Sequence, residues 1–328
     1  MSGALSMADL LKILREGDDY LILCHESPDG DAVGSAVALR LLLQGMGKRA
    51  VCACADLIPP YLTFLPEVPF LYCPTPAELP PYRYLLTVDT AEAALLGGLR
   101  ELAESVLLKI DHHRVGKPYA KYEYTDPDAA AAGEILYALA KEAGQITPEV
   151  ARALYTAIAA DTGGFRYSNT TADSLAIAAE LLRAGAPTEE INRRLFESKP
   201  LSRVRATAEG ISNMELLCNG QVALLMISLE MQKAGGYTRE DFSEVSSAMR
   251  EIEGVEFSAR LLQSEKDPTE FKLSCRSKEW FDCAELCTGF GGGGHTRAAG
   301  ASIRADSPKE AMDRLRTTVL ALFEEMAK

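Results

Sequence analysis

The chain is 328 residues long, about two domains at roughly 150 residues each, with 47% hydrophobic and 25% charged residues, as in a soluble globular protein. Its 34 basic and 47 acidic side chains give a formal charge of −13. That argues against a broad electrostatic track along a long nucleic acid, where basic groups supply most of the affinity, but not against a short nucleotide held by metal ions and a few arginines.

No apolar run approaches the roughly 18–20 uncharged residues of a membrane span. Met1–Asp9 lacks the basic region and apolar core of a signal peptide, so a cytoplasmic protein is expected. Tyr20–Cys24 reads as a short buried strand, followed by a polar loop and a helix over Ala32–Met46. Arg49–Ala55 reads as a second strand. Tyr84–Val88 and Val106–Ile110 are further buried strands, separated by a helical stretch near Leu95–Glu104. Strands alternating with helices predict a mostly parallel sheet covered on both faces. Such sheets place ligands beyond the carboxyl ends of their strands, where His25, Asp89 and Asp111 fall.

From Ala129 the pattern turns helical, over Ala129–Ala143, Pro148–Ala160, Thr171–Ala184 and Thr188–Phe196. Pro148 suits a first helical turn with Thr147 as its cap. Glu197–Leu201 reads as the approach to a domain boundary. Strands follow near Gln221–Ser228, Val255–Leu262 and Glu270–Arg276, then helices, ending in one over Pro308–Ala327. The expected fold is α/β in two domains. A metal-binding domain with a mainly parallel sheet spans 1–187, a helical linker 188–211, and a smaller α/β substrate-binding domain 212–328.

The eight cysteines are Cys24, Cys52, Cys54, Cys73, Cys218, Cys275, Cys283 and Cys287. With a large core and no export signal they are expected to be reduced, buried and inert. Neither Cys52 with Cys54 nor Cys283 with Cys287 belongs to a four-ligand zinc spacing.

All four histidines, His25, His112, His113 and His295, sit in short runs crowded with Asp or Gly after an apolar segment. In His25-Glu-Ser-Pro-Asp29-Gly-Asp31, Pro28 and Gly30 force a tight loop that can turn His25, Asp29 and Asp31 toward one point. The plainer reading has Asp31 capping the next helix. Val88-Asp89-Thr90 ends a buried strand, and Asp111-His112-His113 ends another. Asp161 lies at a helix C-terminus, where a carboxylate is unfavourable unless a cation compensates it. Together His25, Asp29, Asp31, Asp89, His112 and Asp161 are too many ligands for one ion and suit two. Carboxylate and imidazole without thiolate favour Mn²⁺ or Mg²⁺. Two such ions activate a water for in-line displacement at phosphorus, which is phosphoester hydrolysis.

These runs, HESPDGDAVGS, VDT, DHH and DTGGFRYSNT, together with GFGGGGHTRAAG at Gly289–Gly300, resemble the DHH phosphoesterase superfamily with its DHH-associated C-terminal domain. Five ordered motifs over most of the chain, without extra modules, resemble its nanoRNase and pAp-phosphatase branch. The resemblance implies His25 and Asp29 as ligands of one metal, Asp31, His112 and Asp161 as ligands of the other, and Asp89 as the bridging carboxylate. It implies that His113 faces the scissile phosphate or protonates the leaving oxygen, and that Asp111 orients its neighbours. The chain departs from many relatives after DHH, reading Arg114-Val115-Gly116 in place of a small polar residue and Asn. That departure touches substrate contacts and leaves the ligands intact.

Gly289, Gly291 and Gly294 satisfy a literal G-x-G-x-x-G, but a helix-like segment precedes them, not the strand a dinucleotide fold requires. The alternative is a nest of backbone N–H groups around Gly292, Gly293 and Gly294 that approaches a phosphate or base, with His295 adding a donor. Arg260 and Arg276 lie on predicted strands of this domain. Ser274-Cys275-Arg276-Ser277 resembles the family's arginine-bearing strand end, where a guanidinium grips phosphate or stacks on a base. Trp280 is expected to be packing, and the connector near Pro200 a hinge between the domains.

The expected activity is hydrolysis of very short oligonucleotides, including linear dinucleotides such as pApA, to 5′-mononucleotides. Hydrolysis of 3′-phosphoadenosine 5′-phosphate to AMP and phosphate falls within the same chemistry. Two divalent ions are expected, Mn²⁺ foremost with Mg²⁺ or Co²⁺ as substitutes. No membrane contact is expected, and homodimerisation is compatible with the sequence. The rivals are an inorganic pyrophosphatase, which GGGGH argues against, and a long-strand exonuclease, which the acidic charge argues against. A membrane-bound cyclic-dinucleotide phosphodiesterase would need spanning segments. A silent nucleotide-binding scaffold would lack a ligand, and none is missing.

Overall fold

In the computed structural model, which describes residues 5–65 and 70–326, Ser6 opens the first helix, Met7–Glu16 (α1), with a capping box closed by Asp9. The following strand, Tyr20–Leu23 (β1), is buried at every position, as a strand covered on both faces must be. Helix Gly30–Gly45 (α2) leads to Ala50–Cys54 (β2) and Phe70–Tyr72 (β3). Tyr84–Val88 (β4), Val106–Asp111 (β5) and Tyr122–Thr125 (β6) complete a six-stranded sheet, and helices Ala132–Glu142 (α3), Pro148–Asp161 (α4), Ala172–Arg183 (α5) and Thr188–Asn192 (α6) follow.

The sheet order is β3-β2-β1-β4-β5-β6 and every pairing is parallel. The chain therefore changes direction between β1 and β4, the crevice where doubly wound sheets bind ligands. Period-2 alternation splits the core. Tyr20, Ile22 and Cys24 face one cluster with α2, α3 and α4, while Leu21 and Leu23 face a second. A Cβ on Gly34 would lie 2.7 Å from the Ala153 carbonyl oxygen and 2.9 Å from the Ala157 nitrogen, so glycine here lets α2 press against α4.

The two edge strands, β3 and β6, were not among the predicted elements. They are three and four residues long and carry half-buried or exposed side chains, without the apolar run that marks the centre. The helical stretch predicted near Leu95–Glu104 is a 3₁₀ segment over Ala93–Ser105, broken at Gly97, whose φ is 57°. The final predicted helix is present over Pro308–Met326, while Ala327 lies outside the described residues, as do residues 1–4 of the Met1–Asp9 segment.

The chain divides into two compact units, Met1–Ser198 and Lys199–Lys328. The second holds Leu201–Asn213 (α7), Glu215–Leu217 (β7), Val222–Ile227 (β8), Leu229–Gly235 (α8), Val245–Arg250 (α9), Phe257–Gln263 (β9) and Glu270–Ser277 (β10). It ends with Cys283–Gly289 (α10), Gly293–His295 (β11), Ala298–Arg304 (β12) and Pro308–Met326 (α11). Its sheet order is β11-β12-β10-β9-β8-β7, antiparallel except for the β8–β9 pair.

Along β10, Phe271, Leu273 and Cys275 alternate into a core shared with α10 and α11. Trp280 packs there against Phe323, with ring centres 4.6 Å apart. The helices expected between Arg276 and Pro308 reduce to α10, and the remainder forms the β11–β12 pair. Gly and Ala dominate these strands, so they lack the branched residues that announce a strand. All eight cysteines are free thiols and seven are buried. Among the described residues no helix is long and apolar enough to cross a membrane.

Candidate metal centre and substrate face

His25 follows β1, Asp89 follows β4, and Asp111, His112 and His113 end β5, so the carboxyl ends of three neighbouring strands supply one cluster. Asp29 and Asp31 open α2, and Asp161 closes α4. Asp29 is the N-cap of α2, its Oδ1 accepting from the amides of Asp31 and Ala32 at 3.0 Å each. The cap that the plainer reading gave to Asp31 is therefore Asp29. Asp31 lies inside the helix, with its carboxylate turned into the site.

Asp31 Oδ2 accepts from the Ala132 amide at 2.7 Å, and Oδ1 from the Gly133 amide at 3.0 Å and the Ser35 hydroxyl at 2.8 Å. The N-terminus of α3 therefore holds this anion in place. His25 Nδ1 lies 2.7 Å from the Glu26 carbonyl oxygen, which can only accept, so Nδ1 carries the proton. His112 Nδ1 faces the Ala129 carbonyl in the same way at 3.3 Å. Both rings therefore turn Nε2 inward. His25 Nε2 is 3.6 Å from Asp89 Oδ2 and 3.9 Å from Asp29 Oδ1. His112 Nε2 is 3.4 Å from Asp89 Oδ1, 3.7 Å from Asp31 Oδ2 and 3.8 Å from Asp161 Oδ2.

These separations exceed hydrogen-bond length yet bring nitrogens and carboxylate oxygens to common points, as ligands around a cation do. Potential ligand atoms of His25, Asp29 and Asp89 lie within 4.8 Å of one another, as do those of Asp31, Asp89 and His112. Asp89 belongs to both groups. Its Oδ1 is buried and has no hydrogen-bond partner among the described residues, a costly state that a cation relieves. Asp89 also has φ 49°, unusual for a non-glycine residue. The donor set fits two hard divalent ions.

The titration of the cluster follows from its crowding. Burial pushes Asp31 up to about 7, reinforced by Asp89, against the pull of His112. Burial likewise raises Asp161 to about 8, opposed by His112 and reinforced by Asp31, Asp29 and Asp89. Burial opposes protonation of His25 and His112, but Asp89 and the other carboxylates outweigh it, carrying them to about 10 and about 11. Burial also works against the Asp89 anion, yet His112 and His25 hold it well below the usual carboxylate range. Protons thus stand where divalent charge would otherwise sit.

His113 is placed differently. Its Nδ1 donates to Asp111 Oδ1 at 2.8 Å, so Nε2 is the ring nitrogen not engaged by Asp111. Beneath this pair lies a polar network that the sequence reading missed. Lys109 Nζ is 3.8 Å from Asp111 Oδ2 and 3.2 Å from Glu123 Oε2, and lies over the Tyr119 ring. Its signal was a lysine inside an apolar strand, Val-Leu-Leu-Lys109-Ile. Ser35 and the two α3 amides were missed as well. Arg114 is exposed and donates to Asp128 and the Pro127 carbonyl.

In the second unit, register alone gathers the predicted residues. Arg260 pairs with Ser274, Ser274 with Gly300 and Gly300 with Gly293. In the adjacent row Ser258, Arg276, Ala298 and His295 are partners. Cross-strand partners share a face, so Arg260, Arg276, Gly293 and His295 stand on one side of the sheet. Arg260 Nε is buried without an acceptor among the described residues, and burial, then Arg276 and Arg239, lowers its pKa to about 10.

A Cβ at Gly292 or Gly294 would meet backbone within 2.7 Å, whereas one at Gly293 would meet open space. The expected nest is corrected in part. The Gly291 and Gly292 amides bond to Thr288 and Cys287 carbonyls and close α10, so they are not available to a phosphate.

The DHH family, N-terminal domain, matches residues 19–158, and the DHHA1 domain matches residues 219–325. A Thermus thermophilus protein named bifunctional oligoribonuclease and PAP phosphatase NrnA is 32% identical over 323 residues, covering 98% of this chain and 94% of that one. The chain belongs to the DHH family. A Bacillus subtilis protein of the same name is 28% identical to this DHH protein over 302 residues, covering 90% of this chain and 92% of the relative. The crystal structure of an exopolyphosphatase-related protein from Bacteroides fragilis superposes with a TM-score of 0.89 at 24% identity, covering all of both chains, and so shares the fold.

Proposed function

We propose that this DHH protein is a metal-dependent phosphoesterase acting on very short oligonucleotides and linear dinucleotides such as pApA, which it converts to 5′-mononucleotides. The same site hydrolyses 3′-phosphoadenosine 5′-phosphate to AMP and phosphate. The observation that carries this reading is the shared position of Asp89, buried with an unsatisfied oxygen between two ligand groups. It stands on a chain that aligns over 98% of its length with a protein bearing that double name. Both reactions break a bond between phosphorus and a ribose 3′ oxygen, so one site serves both.

His25, Asp29 and Asp89 would hold one ion, and Asp31, Asp89, His112 and Asp161 the other. Two divalent ions, Mn²⁺ foremost with Mg²⁺ or Co²⁺ as substitutes, supply when bound an activated water and neutralising charge at phosphorus. His113 gives its Nε2 proton to the departing 3′ oxygen as the P–O bond breaks and its electron pair stays on that oxygen. The attacking water places its oxygen on phosphorus, and its surplus proton passes to solvent, from which His113 is recharged. Arg260, Arg276 and His295, around open Gly293, grip a phosphate or stack on a base of the nucleotide. With a formal charge of −13, the chain gains little from nucleotides beyond those contacts.

The test is to offer Mn²⁺-loaded protein a panel of pyrophosphate, pAp, pApA, and RNA and DNA of two to twenty nucleotides. The reading expects pApA, pAp and the shortest strands to be consumed fastest. Preferential hydrolysis of pyrophosphate, or faster processive digestion of the twenty-mer, would overturn it.

A further inference from the structure

Strand β5 is apolar except for Lys109 and the terminal Asp111, and both are buried. An ammonium in such a place is expensive unless it is paired, and a lysine that only filled space would be better replaced by an apolar residue. Its partners are specific. Lys109 stands in register with Glu123 on the edge strand β6, with Nζ 3.2 Å from Oε2, while the other carboxylate oxygen accepts the Tyr119 and Ala120 amides at 2.7 and 3.1 Å. Glu123 thus pins the loop that brings the Tyr119 ring over Nζ. The Tyr119 hydroxyl in turn reaches Thr87 Oγ1 at 2.8 Å and donates to the Thr90 carbonyl at 3.1 Å, next to Asp89.

On its other side the ammonium faces Asp111 Oδ2 at 3.8 Å, while Asp111 Oδ1 takes the His113 Nδ1 proton at 2.8 Å. The two oxygens of Asp111 are thereby divided between a fixed cation and the imidazole. Rotation of the carboxylate would break both contacts.

We propose that Lys109, anchored by Glu123, is a positioning residue for leaving-group departure: it fixes the Asp111 carboxylate and through it the His113 ring, so that Nε2 meets the departing oxygen. This rests on the function proposed above. Lys109 is a cation and cannot itself ligate a metal ion, and its carboxylate contacts are to Asp111 and Glu123, outside the proposed ligand set of His25, Asp29, Asp31, Asp89, His112 and Asp161. It therefore acts on the departing oxygen and not on metal capture.

The test compares Lys109→Met, the charge-balanced double variant Lys109→Met/Glu123→Gln and Lys109→Arg with the wild type. Two substrates are used, each with its scissile phosphoryl group on the 5′ oxygen of a nucleoside. The dinucleotide pApA departs as a ribose alkoxide and needs a proton, whereas the p-nitrophenyl ester of thymidine 5′-phosphate departs as a phenolate that does not. The double variant carries the test if Lys109→Met does not fold, since it leaves no unpaired Glu123.

The expected result is a fall in kcat of about 10–100-fold on pApA, a fraction of a general acid's usual contribution, with KM and bound Mn²⁺ unchanged. The p-nitrophenyl ester should be cleaved at nearly the wild-type rate, and Lys109→Arg should recover most of the loss. In the metal-free proteins, ¹⁵N–¹H spectra should show the His113 Nδ1 proton held in the wild type and in Lys109→Arg but exchanging in the other two. Equal losses on both substrates, no loss on either, or an unchanged His113 spectrum would overturn the proposal. A wild type that cleaves the p-nitrophenyl ester but neither pApA nor pAp would instead refute the substrate reading, leaving the spectra to judge Lys109.

Discussion

The cluster of raised pKa values makes the metal-free protein sensitive to pH in a direction opposite to ordinary acid denaturation. Folded, Asp31 and Asp161 keep their protons up to about pH 7 and about 8, while in the unfolded chain they lose them near pH 4. Between about pH 5 and 6.5 the folded state therefore binds two more protons than the unfolded state, and stability falls as pH rises, by roughly 3 kcal/mol per pH unit for two protons. Asp89, held low, is ionised in both states across this window and adds no slope. From about pH 6, near the unfolded histidine value, His25 and His112, raised to about 10 and about 11, add to the decline and carry it to higher pH. For a chain of this size the slope is worth about 4 °C of melting temperature per pH unit.

Divalent ions compete with these same protons, so Mn²⁺ should raise the melting temperature more at pH 8 than at pH 5.5 and should release protons on binding. Calorimetric melting of chelator-dialysed protein from pH 5 to 6.5, with and without Mn²⁺, measures both effects. Asp161→Asn, which fixes one group as neutral, should halve the slope. A metal-free melting temperature that stayed level or rose across the window, or an equal slope in Asp161→Asn, would refute the reasoning.

Asp89→Asn keeps the shape but removes the shared anion. Hydrolysis should fall by about 10²–10⁴-fold with lowered Mn²⁺ occupancy, and activity within about tenfold of wild type would count against the paired-ion assignment. Arg276→Ala and His295→Ala should bind Mn²⁺ normally in calorimetry yet lose at least about tenfold in kcat/KM on pApA, the scale of one charge-assisted hydrogen bond to phosphate. Gly34→Ala should lower stability by about 1–3 kcal/mol in denaturant melts, because its new methyl meets the backbone of α4.

Much of the site was legible in the sequence because its chemistry is local. Each of His25, Asp89 and Asp111 follows an apolar run, and a parallel sheet carries the ends of such runs to one edge. What stayed hidden depended on distance along the chain. The α3 amides that hold Asp31 lie 101 and 102 residues away from it, and no local pattern connects them. Asp29, not Asp31, proved to be the cap because only the turn geometry after Pro28 decides which carboxylate faces the amides. β11 and β12 were misread since small residues serve close backbone approach there, at Gly292 and Gly294, and carry no periodicity. Arg260 and Arg276 were visible as strand residues, yet only the register places them with Gly293 and His295 on one face.

One measurement bears most directly on the claim that a single metal centre breaks the ribose 3′ oxygen–phosphorus bond of both substrates. It is mutual competition between pAp and pApA on the Mn²⁺-loaded protein. A shared site predicts that each substrate inhibits hydrolysis of the other competitively, with an inhibition constant equal to its own KM, and that Asp89→Asn lowers both activities together. Independent rates in mixtures, or loss of one activity with the other intact in Asp89→Asn, would contradict it.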